Sequence, residues 1–168
     1  MTHDEIAFLP LQEKHIPLLR AWLKEPHVAE FWQETENEEE FRQKFLSKLP
    51  ERGVSPFVIA IDSKPIGYIQ YYDACKVGGG WWPDAKEGTF GIDQFIGDPS
   101  FIGRGFGTKI INKFVDDLFS RRTFREIITD PEPTNKRAIR AYEKVGFKAV
   151  GEIKTPGGDA LLMRMERS

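Results

Sequence analysis

The chain has 168 residues, 40% of them hydrophobic and 12% aromatic, enough apolar mass for one packed domain and too much for a disordered chain. Its net charge of −2 hides an asymmetry, because residues 1–98 carry 17 acidic and 10 basic groups whereas residues 99–168 carry 9 acidic and 14 basic. No basic cluster interleaved with aromatics suggests nucleic acid, no run approaches the ~18 apolar residues of a membrane span, and one cysteine, Cys75, allows no internal disulfide and fits a reducing compartment.

The opening MTHDEIAFLP lacks the basic-then-apolar build of a secretory leader, so a cytoplasmic protein is expected. EKHIPLLRAWLKE puts Ile16, Leu19, Trp22 and Leu23 on one helical face, and Pro26 is expected to stop that helix. NEEEFRQKFLSKL opens a second helix with Asn37 as N-cap, Glu40 as the return half of a capping box, and Phe41, Phe45 and Leu49 at every fourth position. FVIAID and IGYIQYY flank SKP and read as two strands joined by a tight turn. TFGIDQFI reads as a further strand. The helix GTKIINKFVDDLF follows, with Ile110, Ile111, Phe114, Val115 and Leu118 as its buried stripe.

REIITD is a short strand, NKRAIRAYEKV a helix closed by Gly146, and FKAVGEI and ALLMRME alternate as strands across a TPGG turn. With no internal repeat and no linker, residues 1–168 read as one domain. Strands that first pair locally and then alternate with helices predict an α/β fold, a mixed sheet with helices on its faces. His3, His15 and His27 show no ligand spacing, so no metal is expected, and His15 and His27 are expected at the surface.

The stretch GIDQFIGDPSFIGRGFGTKI, residues 91–110, spends five glycines in front of a helix and adds Arg104 and Lys109. A helix start has backbone N–H groups without internal partners and a positive dipole end. Gly103, Gly105 and Gly107 remove the side chains that would keep an anion from those amides, a combination suited to a pyrophosphate. The Gly-Lys-Ser/Thr of a P-loop is absent, and G-x-G-x-x-G lacks its third glycine. Further on, DPEPTNKRAIRAYEKVGF places Asn135 at a helix start and Tyr142 seven residues later on the same face.

Glycine loop plus N-x-R-A-I-x-x-Y-E-K-x-G-F resembles the GNAT family of acetyl-CoA-dependent N-acetyltransferases over nearly the whole chain. Within that family, GIDQ, the Trp81-Trp82 pair ten residues before it, TDPxPxNxRAIxxYEKxGF and the TP turn look like aminoglycoside 6′-N-acetyltransferases. The resemblance implies a GNAT fold whose sheet splays between two central parallel strands around acetyl-CoA. It implies that the backbone of Gln94, Phe95 and Ile96 pairs with the pantetheine arm. Gly103, Arg104, Gly105, Phe106, Gly107 and Thr108 would hold the pyrophosphate, Asn135 would contact the cofactor arm, and Tyr142 would point at the sulfur. Ile102 departs from the family's Gln/Arg-x-x-Gly-x-Gly pattern at its first position.

Acetyl transfer to an amine needs a deprotonated nucleophile, and a primary ammonium with pKa ~9–10 requires help to lose its proton at neutral pH. Asp93 is expected to anchor that ammonium and take its proton, directly or through water, while Tyr142 serves the departing coenzyme A thiolate as general acid. Trp32 and Trp82 are expected in the acceptor pocket, together with Gln70, Tyr72 and Asp130. Cys75 has no activating partner beyond Lys76, so transfer is expected to be direct, in a ternary complex. Where the aminoglycoside enzymes carry acidic residues, this chain has Gly79 and Gly157, with Asp84, Glu87 and Asp159 nearby in sequence. The expected protein is therefore a monomeric or homodimeric enzyme using acetyl-CoA, no metal and a small-molecule amine, most simply the 6′-amine of an aminoglycoside. A siderophore-type lysine N-acyltransferase, a protein-amine acetyltransferase and a non-catalytic acyl-CoA-binding module are the alternatives.

Overall fold

The computed structural model describes residues 5–34, 36–76, 86–155 and 157–167. Its strands are β1 (Ile6–Pro10), β2 (Val54–Ile61), β3 (Lys64–Asp73), β4 (Thr89–Ile96), β5 (Glu126–Thr129), β6 (Lys148–Thr155) and β7 (Gly158–Glu166). They form one mixed sheet in the order β1-β2-β3-β4-β5-β7-β6. β4 and β5 are parallel, with Thr89 opposite Glu126 and Gly91 opposite Ile128; β1 with β2, β5 with β7 and β6 with β7 are antiparallel. A parallel pair needs a crossover, and α5 (Phe106–Phe119) supplies it. The expected α/β architecture with a mixed sheet is the one that forms. The chain packs as two compact units, Met1–Gln70 with Gln94–Arg104, and Tyr71–Asp93 with Gly105–Ser168.

The first unit holds α1 (Ile16–Trp22), α2 (Pro26–Ala29), α3 (Glu38–Gln43) and α4 (Leu49–Glu51). Its core gathers Ile16, Leu19, Trp22 and Leu23 with Phe41, Phe45, Val58, Tyr68 and Phe95, each large side chain contributing about 1.5–3 kcal/mol by leaving water. The Asn37 capping box forms in both directions, Glu40 N–H to Asn37 Oδ1 at 2.9 Å and Asn37 N–H to Glu40 Oε1 at 3.3 Å. That helix does not continue as a plain α-helix: Lys44–Lys48 widens into a π turn before α4. Pro50 is the physical reason, since it has no N–H for the fourth carbonyl back and its ring crowds that carbonyl.

Three local expectations change in this unit. Pro26 opens α2 rather than merely ending α1, because a first helical residue has no use for its missing N–H. The tight turn between β2 and β3 is carried by Asp62 and Ser63, at φ 48° and 70°, one residue earlier than SKP. His15 is buried, at 7% exposure, and its Nδ1 accepts the Gln12 N–H at 3.0 Å. His27 is half-buried, with its Nε2 2.8 Å from the Ile96 carbonyl.

The second unit is built around α5, whose buried stripe is Phe106, Ile110, Ile111, Phe114, Val115 and Leu118. Consecutive Ile127 and Ile128 of β5 are both fully buried, the mark of a strand covered on both faces. α6 (Lys136–Val145) ends at Gly146, whose φ of 128° only glycine adopts readily. The turn from β6 to β7 is closed by the Thr155 hydroxyl, which donates to the Gly158 carbonyl at 2.9 Å.

Candidate active site

The chemistry-bearing side chains of the second unit come from β3, β4, the end of β5 and α6. Asp93 lies on β4 two residues past Gly91, and alternation along a strand puts both on one face. β5 ends at Thr129, whose buried hydroxyl donates to the Ile92 carbonyl at 3.0 Å, and Asp130 follows at once. Tyr142 projects from α6 and is only 3% exposed, its ring held edge-to-face by Phe147 at 5.4 Å. Tyr72, near the end of β3, is buried as well.

Three of these groups act on the fourth. Burial pushes the Tyr72 phenol well above its usual value of 10.0, and the Asp93 and Asp130 carboxylates and the Tyr142 phenol push it further. Tyr72 therefore keeps its proton throughout the working pH range, so toward the carboxylates it can only be a donor. Two half-buried carboxylates and two phenols form a group suited to holding an ammonium and moving its proton.

The start of α5 meets the requirements of an anion site. Gly105 is its N-cap at φ 80°, no side chain caps it, and its first turn carries no acidic residue. A Cβ placed on Gly105 or Gly107 would meet no atom within 4 Å. Gly107 has an ordinary helical φ, so neither backbone geometry nor packing requires its glycine, which costs about 0.8–1 kcal/mol against alanine inside a helix. The open space it leaves lies at a helix start that no side chain caps, where a diphosphate could be received. Phe106 is buried, so its side chain is not open to a ligand. Asn135 is the N-cap of α6, its Oδ1 accepting the Ala138 N–H at 3.3 Å.

The other expected site residues lie in the first unit. Phe95 is a core side chain that stacks on Tyr68 at 5.6 Å, which leaves its main chain for hydrogen bonding. Trp32 is half-buried and meets Phe95 at 5.0 Å and Tyr68 at 5.9 Å edge-to-face. Gln70 accepts the Tyr68 hydroxyl at 2.6 Å. Gln94 and Ile96 are half-buried on β4. Gly103 stands at φ 72° with open space around it, and Arg104 donates to the Ser100 carbonyl at 3.0 Å and sits over the Phe101 ring. Trp81, Trp82, Gly79 and Asp84 fall outside the described residues. Of the carboxylates expected to compensate for missing acidic positions, Asp159 is paired with Lys154 at 2.8 Å, and Glu87 lines a cavity with Arg122 and Arg125.

Sequence reasoning missed Gly91. A Cβ there would overlap the ring and hydroxyl of Tyr72, and the signal was available, since a lone glycine inside a strand pattern often marks a close approach. Among the described residues, no group of His, Cys, Asp and Glu is arranged to hold a metal ion, and no helix is long and apolar enough to cross a membrane.

The family model for the acetyltransferase (GNAT) domain matches residues 12–155. Aminoglycoside N(6′)-acetyltransferase type 1 of Klebsiella pneumoniae is 36% identical over 171 residues, covering 99% of this chain and 85% of the relative. The crystal structure of aminoglycoside acetyltransferase AAC(6′)-Ib with coenzyme A and kanamycin superposes with a TM-score of 0.90 at 36% identity, covering 97% of this chain and 95% of that one. A more distant relative, the lysine N-acyltransferase MbtK of Mycobacterium tuberculosis, is 27% identical over 150 residues, covering 89% of this chain and 71% of its own. With the uncapped α5 start, the Asp93–Tyr142 group and a family match over most of its length, this chain belongs to the GNAT family of acetyltransferases.

Proposed function

We propose that this enzyme transfers acetyl from acetyl-CoA to the 6′-amine of an aminoglycoside. The observation that carries the chemistry is the gathering of Asp93, Asp130 and Tyr142 around the buried Tyr72 phenol. The substrate class rests on the 36% identity, over 99% of this chain, to an aminoglycoside N(6′)-acetyltransferase.

Acetyl-CoA, when bound, supplies a thioester whose carbonyl carbon takes the amine nitrogen as its C–S bond breaks. The chain's own residues do the rest. Main-chain amides of 103–108 hold the diphosphate, those of Gln94, Phe95 and Ile96 the pantetheine arm, and Asn135 its polar groups. Asp130 and Asp93 anchor ammonium groups of the acceptor. Asp93 then takes the proton of the reacting amine, directly or through water, because a carboxylate near an ammonium is a ready acceptor once nitrogen begins to bond. Tyr142 gives the departing thiolate a hydrogen bond or a proton; pKa values of about 10 and 8.5 make either adequate. Trp32 and Trp82 provide aromatic faces for sugar rings and cations, and Gln70 and Tyr72 provide polar contacts. With Asp93 and Tyr142 serving the two ends of one transfer, no acyl-enzyme is required and the reaction is direct.

A second reading, acylation of a lysine-like amine, is favoured by one feature: Asp159 is held by Lys154, which leaves fewer carboxylates for a polycation. Released thiol, measured with acetyl-CoA and kanamycin, tobramycin or an N-hydroxylysine-type amine, separates the readings. Turnover with the aminoglycosides above the no-amine background is expected. Background release with every aminoglycoside alongside turnover of the single amine would transfer the assignment to the second reading. The absence of any calorimetric signal with acetyl-CoA at millimolar concentration would remove both.

A further inference from the structure

Gly91 lies in the middle of β4, where glycine loses stability relative to other residues. Its φ is not in the left-handed region, so the backbone would accept any side chain. The obstruction lies in the packing. A Cβ on Gly91 would overlap Cζ, Oη and Cε2 of Tyr72, the three atoms at the hydroxyl end of the ring. The atoms met first belong to the functional end of Tyr72, which would be driven off the strand.

Strand alternation puts Gly91 and Asp93 on one face of β4, so the spot Gly91 vacates is beside Asp93 along the strand. On the neighbouring β5, the register that sets Gly91 opposite Ile128 brings the chain to Asp130 two residues later. Asp93 from β4, Asp130 from the end of β5 and Tyr142 from α6 all act electrostatically on the Tyr72 phenol. We propose that Gly91 is a positioning residue for acetyl transfer, which by lacking a side chain seats the Tyr72 hydroxyl among Asp93, Asp130 and Tyr142. A phenol fixed there has one hydrogen to donate, and giving it to a neighbouring carboxylate oxygen orients that carboxylate for the ammonium. The inference rests on the acetyl-transfer reading above and adds to it a residue that touches neither substrate.

A purely structural glycine would change melting temperature and nothing else, so the test uses readouts that packing alone does not move. The wild-type enzyme is first assayed against the amine panel, and the variants are compared on whichever amine it acetylates; failure of the aminoglycosides at this stage touches only the substrate assignment. Gly91→Ala is expected to lower kcat/KM for the amine at least tenfold while KM for acetyl-CoA stays within twofold. In a Tyr72→Leu background, where the far end of the ring is gone, the same change is expected to cost less than twofold. Equal losses in both backgrounds, or an unchanged kcat/KM in Gly91→Ala, would overturn the proposal. Should Gly91→Ala not fold, Tyr72→Phe keeps the ring and the glycine and removes only the hydroxyl. A tenfold or greater fall in kcat/KM is expected, and wild-type activity rejects the role.

Discussion

In the proposed mechanism Asp93 and Tyr142 carry opposite ends of one proton inventory, and single-atom substitutions separate them. Asp93→Asn keeps shape and hydrogen bonding but removes the base, and kcat at pH 7 is expected to fall by about 10²–10⁴-fold. Tyr142→Phe removes only the donor to the leaving thiolate, and a smaller fall of kcat is expected, with KM for the amine little changed. Steady-state kinetics on the same acceptor checks both. His15 works through stability. Burial, and after it the charge of Lys14, holds its imidazole below the usual 6.5, so the folded state prefers it neutral and uses Nδ1 to accept from Gln12. A depressed folded pKa means that the contribution is complete above 6.5 and is lost as pH falls through the folded value. The melting temperature is therefore expected to drop on acidification from pH 7 to pH 5. His15→Asn, which retains an acceptor without a titrating ring, is expected to show a shallower drop in a pH series of thermal melts.

At the scale of the element, the start of α5 combines two demands that can be set against each other. Its uncapped amides and lack of acidic residues leave helix stability unclaimed, since a carboxylate in the first turn contributes about 0.3–1 kcal/mol. Gly107→Asp should collect that contribution along with the better helix propensity, and it places a negative charge where the diphosphate would lie. Melting temperature is expected to stay level or rise while KM for acetyl-CoA increases at least tenfold. A parallel fall in both would mean that the loop serves the fold and not a ligand. The π turn at Lys44–Lys48 shows the reverse case, in which one residue, Pro50, bends an element away from its regular form.

Across the whole molecule, the uneven charge along the chain, acidic before residue 99 and basic after it, matches a reaction that joins a polycation to a polyanionic donor. Encounter rates between opposite charges fall as salt screens them, with a Debye length of about 10 Å at 0.1 M. Values of kcat/KM for kanamycin are expected to decline with ionic strength more steeply than those for a monoamine. Equal slopes would show that the carboxylates act only at contact range.

The sequence alone determined what depends on neighbours within a few residues. The Asn37–Glu40 box, the apolar stripe of α5 and the Gly146 stop needed only helical period and capping chemistry, and each is present. The family was equally legible, because its motifs are written in local residue spacing. Tertiary structure decided what depends on contacts distant in sequence. It buried His15 and put Trp32 against Phe95 and Tyr68. It also drew Tyr72 onto Gly91 within reach of Asp93, Asp130 and Tyr142. Periodicity states which face a residue occupies; only packing states which other residue, dozens of positions away, fills the space beyond it.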